Sequence, residues 1–311
     1  MIAYVKRFEK VKFLYRLLNI FKIDKIEDKP IILLPIDDKS CKRKIKKIAE
    51  KISKYLYNSN IKSIVLEENL MANEEFKNIL YRNNISILDG TRLSKFLVYS
   101  VIQKIYHYKK SKIEAGEITI LIHENNDIAI ENIMSLAKNV KRLNIITNNT
   151  KKFKKVVEYL YNELGILIKL SNNMKSNLNS SDIILNIDFP EETLNKLDIP
   201  SNAVVVNVPK NVNITSRKFS GINIKDWKIE IPKKYKLQGF DDTIMYEASI
   251  LKKPTIKVFE QLEDDKVKIK RLIGVNGTIN KKEFVWILLN YTWQIVFCRV
   301  RLRNYNHILI I

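Results

Sequence analysis

The strongest constraint in this sequence is a regular alternation between short apolar runs and longer segments with helical spacing. Between residues 118 and 208 five such runs occur, and they read ITILIH (118–123), RLNIIT (142–147), ILIKL (166–170), DIILNID (182–188) and AVVVNV (203–208). Runs that are apolar at nearly every position are typical of strands buried on both faces, as in parallel sheets. Parallel neighbours must be joined by a long crossover, which is usually a helix. The alternation therefore predicts an α/β fold.

The segments between these runs have the features of helices. KKFKKVVEYLYNEL (151–164) is followed by Gly165, and glycine commonly ends a helix in the left-handed conformation. PEETLNKL (190–197) begins with proline, which is tolerated in the first turn of a helix. Five strands with helices between them predict a doubly wound, Rossmann-like parallel sheet.

A similar alternation on a smaller scale precedes this region. The apolar runs PIILLPID (30–37), KSIVLEE (62–68) and ISILDG (85–90) alternate with helical patterns, which predicts a smaller N-terminal α/β domain. Apolar residues near the N-terminus recur at spacings of three and four and predict an amphipathic helix over 2–21; they are Val5, Phe8, Val11, Leu14, Tyr15 and Leu18. The predicted organisation is an N-terminal amphipathic helix (1–23), a small α/β domain (24–112), a Rossmann-like domain with C-terminal helices (113–280) and an atypical apolar tail (281–311).

The C-terminal tail differs in composition from the rest of the chain. From Val285 to Ile311 it contains no Lys, Asp or Glu. FVWILLNYTWQIVFCRV (284–300) is short for a membrane span, which needs about 20 residues. Three interpretations remain open. The tail is a packing strand or helix, a membrane tail followed by Arg301 and Arg303, or a non-native tail from a shifted reading frame.

The net charge of +21 suggests an acidic partner such as nucleic acid or an anionic membrane. The basic residues, however, are 44 lysines and 11 arginines. Specific recognition of phosphates and bases favours arginine, because its planar guanidinium binds bidentately. Lysine-rich helix faces such as 42–54 and 151–155 are more typical of solvated surfaces. The charge therefore favours solubility over a membrane, and a nucleic-acid partner remains an alternative.

The positions of the cysteines and histidines argue against a disulfide-stabilised protein and against a zinc protein. Cys41 and Cys298 are far apart, which excludes a disulfide framework and fits a reducing compartment. The three histidines do not form the spacing of a zinc site, so no metal is expected. The N-terminal segment is interrupted by charged residues and does not resemble a signal peptide. We expect a cytoplasmic protein.

The turn after the first strand of the predicted Rossmann-like sheet has an unusual composition. Dinucleotide-binding turns need glycine for the tight bend and for close approach to the pyrophosphate. Residues 123–127 are instead His-Glu-Asn-Asn-Asp. Asn125 and Asn126 tolerate left-handed backbone and could still make the turn. Glu124 and Asp127 would face phosphate, and Asp127 is predicted to cap a helix that starts at Ile128. The alternative is a self-capped helix that needs no ligand.

Two stretches resemble a known group of enzymes. ITNNTKKFKKVVEYL (146–160) resembles the Asn-Arg-Thr stretch of shikimate dehydrogenases and glutamyl-tRNA reductases, which binds the adenosine phosphate end of NADP. SSDIILNIDFPEE (180–192) resembles their Asp-Ile-Val-Ile-Asn-Ala-Thr-Pro stretch near the nicotinamide. The layout of a smaller α/β domain followed by a Rossmann domain is also similar.

Within these two stretches, individual residues of this chain match residues of the family. Asn148 and Thr150 match the first stretch, and Asn149 stands where the family has its phosphate-binding arginine. Lys151 or Lys152 could supply a positive charge instead. In the second stretch Asp188 and Pro190 stand at the fourth-strand position. The glycine turn, the first-domain motifs of shikimate dehydrogenase and the nucleophilic cysteine of the reductases have no counterpart in this sequence.

These observations define the predicted site and two hypotheses of function. The resemblance and the turn together nominate as cofactor-binding residues His123, Asn125, Asn126, Asn148, Thr150 and Asp188. The resemblance implies NADP or NAD, while the glycine-free turn fits equally well with no cofactor. The first hypothesis is a degenerate NAD(P)-type site that binds a nucleotide or acts on a small metabolite. The second is a non-catalytic Rossmann-like module that binds a protein or nucleic-acid partner. The catalytic residues and the oligomeric state are not predicted.

Overall fold

A computed structural model describes most of the chain. The described residues are 2–8, 15, 18–26, 29–37, 39–173, 178, 181–209, 212–215 and 219–284. Contacts within the chain define two compact units, here called unit 1 (residues 1–93 and 230–267) and unit 2 (residues 94–229 and 268–311). Each unit is built from two stretches of the chain, whereas the predicted domains are continuous. The predicted boundaries at residues 112 and 280 stay predictions.

Unit 1 contains a five-stranded sheet. Its elements are β1 (Ile2–Arg7), β2 (Lys22–Ile26), β3 (Lys29–Leu34), α1 (Lys42–Asn58), β4 (Ser63–Leu66), α2 (Glu68–Met71), α3 (Glu74–Arg82) and β5 (Ser86–Ile87). The strand order is β2-β3-β1-β4-β5. Neighbouring strands are parallel except for the antiparallel pair of β2 and β3. The predicted small α/β fold is therefore present.

The predicted N-terminal helix over 2–21 is wrong for its first six residues, which form β1. Ala3, Tyr4 and Val5 are buried in succession, as in a strand covered on both faces. Val5 is paired with Ile32 of β3 on one side and with Leu66 of β4 on the other. The spacing of three and four had suggested a helix because short apolar runs fit both periods. Residues 9–14 and 16–17 of the predicted helix lie outside the described residues.

Helix α1 follows its sequence pattern. Four isoleucine and leucine residues are buried at spacings of three and four, and they are Ile45, Ile48, Ile52 and Leu56. Lysines occupy the opposite, exposed face. The apolar face packs into a core formed with the strands of the same sheet, which explains how so basic a helix is held on a small domain.

Unit 2 contains a six-stranded parallel sheet. The chain first forms α4 (Thr91–Phe96) and α5 (Val98–Lys109), and then β6 (Glu117–Leu121), α6 (Asp127–Ala137), β7 (Arg142–Ile146), α7 (Thr150–Leu164), β8 (Ile168–Ser171), β9 (Ile183–Asn186), α8 (Glu191–Leu194), β10 (Val204–Asn207) and β11 (Ile222–Ile224). Across the sheet the order is β8-β7-β6-β9-β10-β11, with every neighbouring pair parallel.

This strand order is the doubly wound arrangement that the sequence predicts. Counted from β6, the order is 3-2-1-4-5-6, which is the order of a Rossmann sheet, and helices lie on both sides. The order reverses between β6 and β9. In such sheets the crevice at the carboxyl ends of the strands, at the point of reversal, is where ligands bind.

The remaining elements complete both units. They are β12 (Asp226–Glu230), α9 (Asp242–Ile250), α10 (Thr255–Asp264), β13 (Lys268–Gly274) and β14 (Gly277–Ile279). Strands β12, β13 and β14 form a third sheet. Within the described part of the chain, no helix has both the length and the hydropathy of a membrane span. The apolar tail beyond Phe284 lies outside the described residues.

A polar network in unit 1 holds α9 against α10. The carboxylate of Asp265 accepts hydrogen bonds from the Tyr246 hydroxyl at 2.9 Å and from the Gln261 side-chain amide at 3.1 Å. Its second oxygen lies 2.8 Å from Nζ of Lys234. Burial alone would raise the pKa of Asp265, but the hydrogen bonds from Lys234, Tyr246 and Gln261 together lower it below its usual value.

The Asp265 network predicts a loss of stability in acid. Because the folded-state pKa is lowered, the carboxylate stabilises the fold above the unfolded-state pKa of about 3.9, and this contribution disappears as pH falls through the lower folded value. Asp265→Asn should reduce the free energy of unfolding at pH 7 by about 1 to 3 kcal/mol, because one neutral oxygen replaces the two charged oxygens that accept from Tyr246, Gln261 and Lys234. The difference from wild type should shrink below about pH 4.

Urea denaturation between pH 7 and pH 2 measures this effect. Asp264→Asn is the matched control, because Asp264 is the exposed neighbour of Asp265. Equal unfolding free energies for Asp265→Asn and Asp264→Asn at pH 7 would contradict the prediction.

Candidate functional site

The predicted site residues follow three strands that meet at the reversal point of the six-stranded sheet. His123 to Asn126 follow β6, Asn148 to Thr150 follow β7, and Asp188 follows β9. Strand β6 lies between β7 and β9 in this sheet. Because all three strands are parallel, their carboxyl ends lie at the same edge. The geometry of this edge decides what the site can hold.

The carboxylate of Asp188 binds the backbone of the turn after β6. Its Oδ1 accepts a hydrogen bond from the His123 amide at 2.8 Å, and its Oδ2 accepts from the same amide at 3.0 Å. Oδ2 also accepts from the Glu124 amide at 2.7 Å. Consecutive backbone amides of this kind form an anion site in many nucleotide-binding folds. Here an anion from the protein itself occupies them.

The N-terminus of α6 is capped by the protein as well. Oδ1 of Asn126 accepts a hydrogen bond from the Ala129 amide at 3.0 Å. The helix begins at Asp127, so the predicted cap, Asp127 before a helix starting at Ile128, is wrong by one residue. Asn126 has the extended backbone of a cap residue, with φ −130° and ψ 170°. Asp127 is then the first helical residue, where its negative charge interacts favourably with the positive end of the helix dipole.

The histidine of the turn is stacked on an aromatic ring. The rings of His123 and Phe189 have centroids 4.0 Å apart and planes inclined by 16°. Asn148 lies beside the imidazole, with its backbone nitrogen 3.5 Å from Nδ1 and its side-chain nitrogen 3.5 Å from Nε2. The fold therefore brings together three predicted residues, His123, Asn148 and Asp188. Phe189, which is fully buried, was not predicted.

Two other predicted residues, Asn125 and Thr150, lie where the turn after β6 meets the start of α7. The side chain of Asn125 donates a hydrogen bond to the backbone carbonyl of Lys152. Thr150 is the first residue of α7. The exposed side chains of Lys151 and Lys152 follow it. Asn125 thus holds the turn against α7, while the lysines remain at the surface.

A row of buried asparagines supports the loop that contains Asp188. Asn186 accepts from the Phe189 amide at 2.8 Å and donates to the Phe189 carbonyl at 3.1 Å. It also donates to Asn207 at 2.9 Å, and Asn207 donates to Asn223 at 2.6 Å. Buried amides that are fully hydrogen bonded fix a single local arrangement. The signal in the sequence was an asparagine at the end of two apolar strands, IILN and VVVN.

The charges at the turn are mainly negative. Glu124, Asp127 and Asp188 lie in or beside it, and Lys95 is 3.4 Å from the Glu124 carboxylate. The Glu124 side chain is 62% exposed, so this ion pair contributes little. Across the described residues, no group of three or more His, Cys, Asp or Glu side chains could hold a metal ion. The turn is thus acidic and internally hydrogen bonded.

No protein-family model matches this chain, and no curated protein matches it significantly. Several solved structures are similar to it. One is shikimate dehydrogenase from Mycobacterium tuberculosis, with 16% identity and a TM-score of 0.27 over 36% of this chain and 43% of that one. Another is Δ(1)-pyrroline-2-carboxylate reductase from Thermococcus litoralis, solved with NADH and L-proline, with 14% identity and a TM-score of 0.28 over 41% of each chain.

A third similar structure covers more of the chain. It is L-tryptophan dehydrogenase from Nostoc punctiforme, with 8% identity and a TM-score of 0.34 over 85% of this chain and 78% of that one. The first two alignments span less than half the length of those proteins. The resemblance to shikimate dehydrogenase is confirmed as a likeness at low identity. Similarity at this level carries no weight for activity, and the assignment of a Rossmann-type sheet rests on the strand order of unit 2.

The observed cap of α6 predicts the result of two alanine substitutions. Asn126→Ala should lower the free energy of unfolding by about 1 kcal/mol, because the Ala129 amide loses its acceptor. Asp127→Ala should cost only a few tenths of a kcal/mol, because an exposed first-turn acid acts mainly through the helix dipole. Urea denaturation at pH 7 distinguishes the two.

Asn126→Ser is the control for this experiment, because serine is also a good cap and should restore most of the stability. A larger loss for Asp127→Ala than for Asn126→Ala would place the cap at Asp127 and contradict the prediction.

Proposed function

We propose that unit 2 is a non-catalytic Rossmann-type module that binds an acidic protein or nucleic-acid partner and does not hold NADP or NAD at the turn after β6. One observation carries the proposal, namely the hydrogen bonds from the His123 and Glu124 amides to the Asp188 carboxylate. A dinucleotide bound in the usual way would place its pyrophosphate against the amides of this turn. In this chain those amides already have an anionic acceptor.

The energies favour the internal carboxylate over a phosphate. A phosphate about 4 Å from Asp188 would be repelled by about 4 kcal/mol per unit charge at an effective dielectric constant of 20. To move the carboxylate away, the protein would lose charge-assisted hydrogen bonds that contribute about 1.5 to 3 kcal/mol each. New bonds from the same amides to phosphate would regain only a similar amount. The turn is therefore a poor receptor for a dinucleotide.

The surface of α7 supports an acidic partner. Four exposed lysines lie in its first two turns, namely Lys151, Lys152, Lys154 and Lys155. Tyr159 and Tyr161 follow on the same helix and are 47% and 59% exposed. Lysines supply point charges for phosphates or carboxylates, and exposed tyrosines supply rings on which bases or side chains stack. A positive helix with exposed aromatic rings fits a macromolecular partner better than a small metabolite.

A second candidate function is a remodelled nucleotide site that acts on a small metabolite. The convergence of His123, Asn148 and Asp188 at the reversal point of the sheet favours it, because ligands of doubly wound folds bind at that point. In this proposal Asn125, Asn126 and Thr150 would contact the nucleotide, and Lys151 or Lys152 would face an adenosine phosphate. Asp188 would have to release the turn when the ligand binds.

A thermal-shift titration with NADPH, NADH, ATP and CoA at millimolar concentration distinguishes the two candidates. The wild-type full chain should show no shift with any of them, because Asp188 occupies the amides. Ligand at 100 times its dissociation constant would instead stabilise the protein by about 2.7 kcal/mol. A clear shift for the wild type that is lost in Asn148→Asp would support the second candidate and contradict the first.

Removal of the carboxylate should create a binding site. Asp188→Ala frees the two amides and removes the repelling charge, so this variant should bind NADPH or inorganic pyrophosphate measurably more tightly than wild type by isothermal titration calorimetry. Asp198→Ala is the matched control, because Asp198 is an exposed aspartate of the same unit. If folded Asp188→Ala binds as poorly as the control, Asp188 is not what excludes the phosphate.

A nucleic-acid partner predicts a steep dependence on salt. The logarithm of the association constant for a single-stranded oligonucleotide should fall linearly with the logarithm of salt concentration, with a slope of about −0.7 per neutralised phosphate. Fluorescence anisotropy between about 50 and 200 mM salt measures the slope. Lys154→Gln combined with Lys155→Gln should make the slope shallower. A slope near zero would exclude nucleic acid and leave an acidic protein as the partner.

A further inference from the structure

Among the described residues, strand β2 is an edge strand of the sheet in unit 1. It is the last strand in the order β2-β3-β1-β4-β5, and its hydrogen-bonded neighbour there is β3. Three isoleucines on or just before it are unusually exposed for their type, namely Ile20 at 45%, Ile23 at 47% and Ile26 at 44%. An open edge with exposed apolar side chains is a template for pairing with another strand.

The backbone groups of β2 that point outward can be worked out from the neighbouring strands. The Phe8 amide donates to the Leu34 carbonyl, so Leu34 at the end of β3 directs its polar groups toward β1. Successive residues of a strand direct these groups to opposite sides. Residues 29, 31 and 33 of β3 therefore face β2. Their register partners in β2 are residues 26, 24 and 22. The backbone amides and carbonyls of these three residues therefore point toward β3.

Ile23 and Lys25 are consequently the residues of β2 whose amide and carbonyl point away from the sheet. Two contacts agree with this assignment. The Lys25 amide donates to the side chain of its neighbour Asp24 at 2.9 Å. The residue opposite Lys25 is Pro30, which has no amide hydrogen to offer.

The sequence of β2 is complementary to itself in one register. In a two-fold antiparallel pair centred on residue 23, Ile23 faces Ile23 of a second copy and Lys22 faces Asp24. Ile20 faces Ile26 and Phe21 faces Lys25 in the same register. Directly opposite residues share a face of the sheet, so residues 22 to 24 of the two copies become cross-strand neighbours, and pairing of Ile20 and Phe21 would extend the strand by two residues. One face thus pairs Lys22 with Asp24, and the other places the two copies of Ile23 against each other.

The other two-fold registers centred on a residue of β2 place like charges together. Centring on Lys22 or Lys25 puts two copies of the same lysine opposite each other, and centring on Asp24 does so for the aspartate. Centring on Ile26 sets Asp24 against Asp28, and it sets Lys25 against Glu27. Like charges directly opposite are destabilising in a sheet. Of the registers centred on a residue of β2, the one centred on Ile23 is the one that sets no like charges opposite each other.

We propose that this edge is an interaction surface for a second copy of the same chain, and that two β2 strands pair antiparallel about Ile23. The outward amides and carbonyls of Ile23 and Lys25 then find partners in the other copy. The Lys25 amide leaves the Asp24 side chain. The ion pair between Lys22 and Asp24 of the same strand, at 2.9 Å, is exchanged for the equivalent pair between the two copies. The contact is isologous and closes as a dimer, which joins two five-stranded sheets into one.

Charged residues on an edge strand can also serve to prevent pairing. To prevent pairing, the charged side chains of the edge strand would have to meet like charges in every register that a second strand could adopt. Here the register centred on Ile23 converts the same charges into attractive pairs. The interface is narrow, so the dimer should be weak and dependent on concentration.

Sedimentation equilibrium of the full chain from about 1 to 300 µM tests the proposal, because this range brackets weak dimers. We expect the weight-average mass to rise toward that of a dimer at high concentration. Ile23→Lys sets two lysines opposite each other and should weaken association on the order of tenfold. Ile256→Lys is the matched control, because Ile256 is 65% exposed on α10, and it should associate as wild type.

A charge exchange tests the register. Lys22→Asp alone should weaken association, because the introduced carboxylate would face Asp24 of the second copy. Lys22→Asp combined with Asp24→Lys restores opposite charges and should return association to within about threefold of wild type. A wild type that stays monomeric over the whole range overturns the proposal. Association that is unchanged in Ile23→Lys would belong to another surface and also overturns it.

A cysteine at the centre of the register gives an independent readout. In a background with Cys41→Ser and Cys298→Ser, Ile23→Cys places two thiols opposite each other, at a Cα separation of about 5.5 Å that a disulfide can span. Mild oxidation should yield a covalent dimer. Lys25→Cys is the control, because residue 25 faces residue 21 and should cross-link slowly. Equal cross-linking of the two variants would exclude this register.

Discussion

The burial of strands on both faces is the constraint on which both sheets depend. In β9 and β10 all four residues are buried, and both strands have parallel neighbours on each side. Such strands need helices over both faces, and helical crossovers bring every carboxyl end to the same edge of the sheet. The loops after β6, β7 and β9 meet for this reason. The candidate site is thus a consequence of how the apolar strands are covered.

At that edge the protein has to satisfy the amides of a turn without glycine. Asp188 does so for His123 and Glu124, and Asn126 does so for α6. In a dinucleotide-binding turn the ligand supplies the acceptors, so the turn is incomplete without it. Here the acceptors belong to the chain, and the buried amide of Asn186 fixes the loop that contains Asp188. The same interactions that stabilise the turn are the basis for the proposal that it does not bind phosphate.

Where a sequence pattern was local, it predicted the structure well. Helix α1 and five of the six strands of the Rossmann-type sheet follow from apolar periodicity, which depends only on near neighbours. The prediction failed at β1, whose short apolar run fits a strand and a helix equally well. It became a strand because β3 and β4 pair with it on both sides. The predicted position of the α6 cap was wrong by one residue. Asn126 and Asp127 are both residue types that cap helices well, and only the backbone geometry distinguishes them.

The sequence by itself determined the α/β class, the alternation of strands and helices along the chain, the absence of glycine from the turn and the excess of lysine. Only the tertiary structure decided that Asp188 meets the amide of His123, 65 residues away, and that Asn186, Asn207 and Asn223 bond across three strands. The physical reason is the range of the forces involved. Periodicity reflects contacts within one element, whereas these hydrogen bonds depend on which strands become neighbours. That choice is made by the packing of the whole sheet.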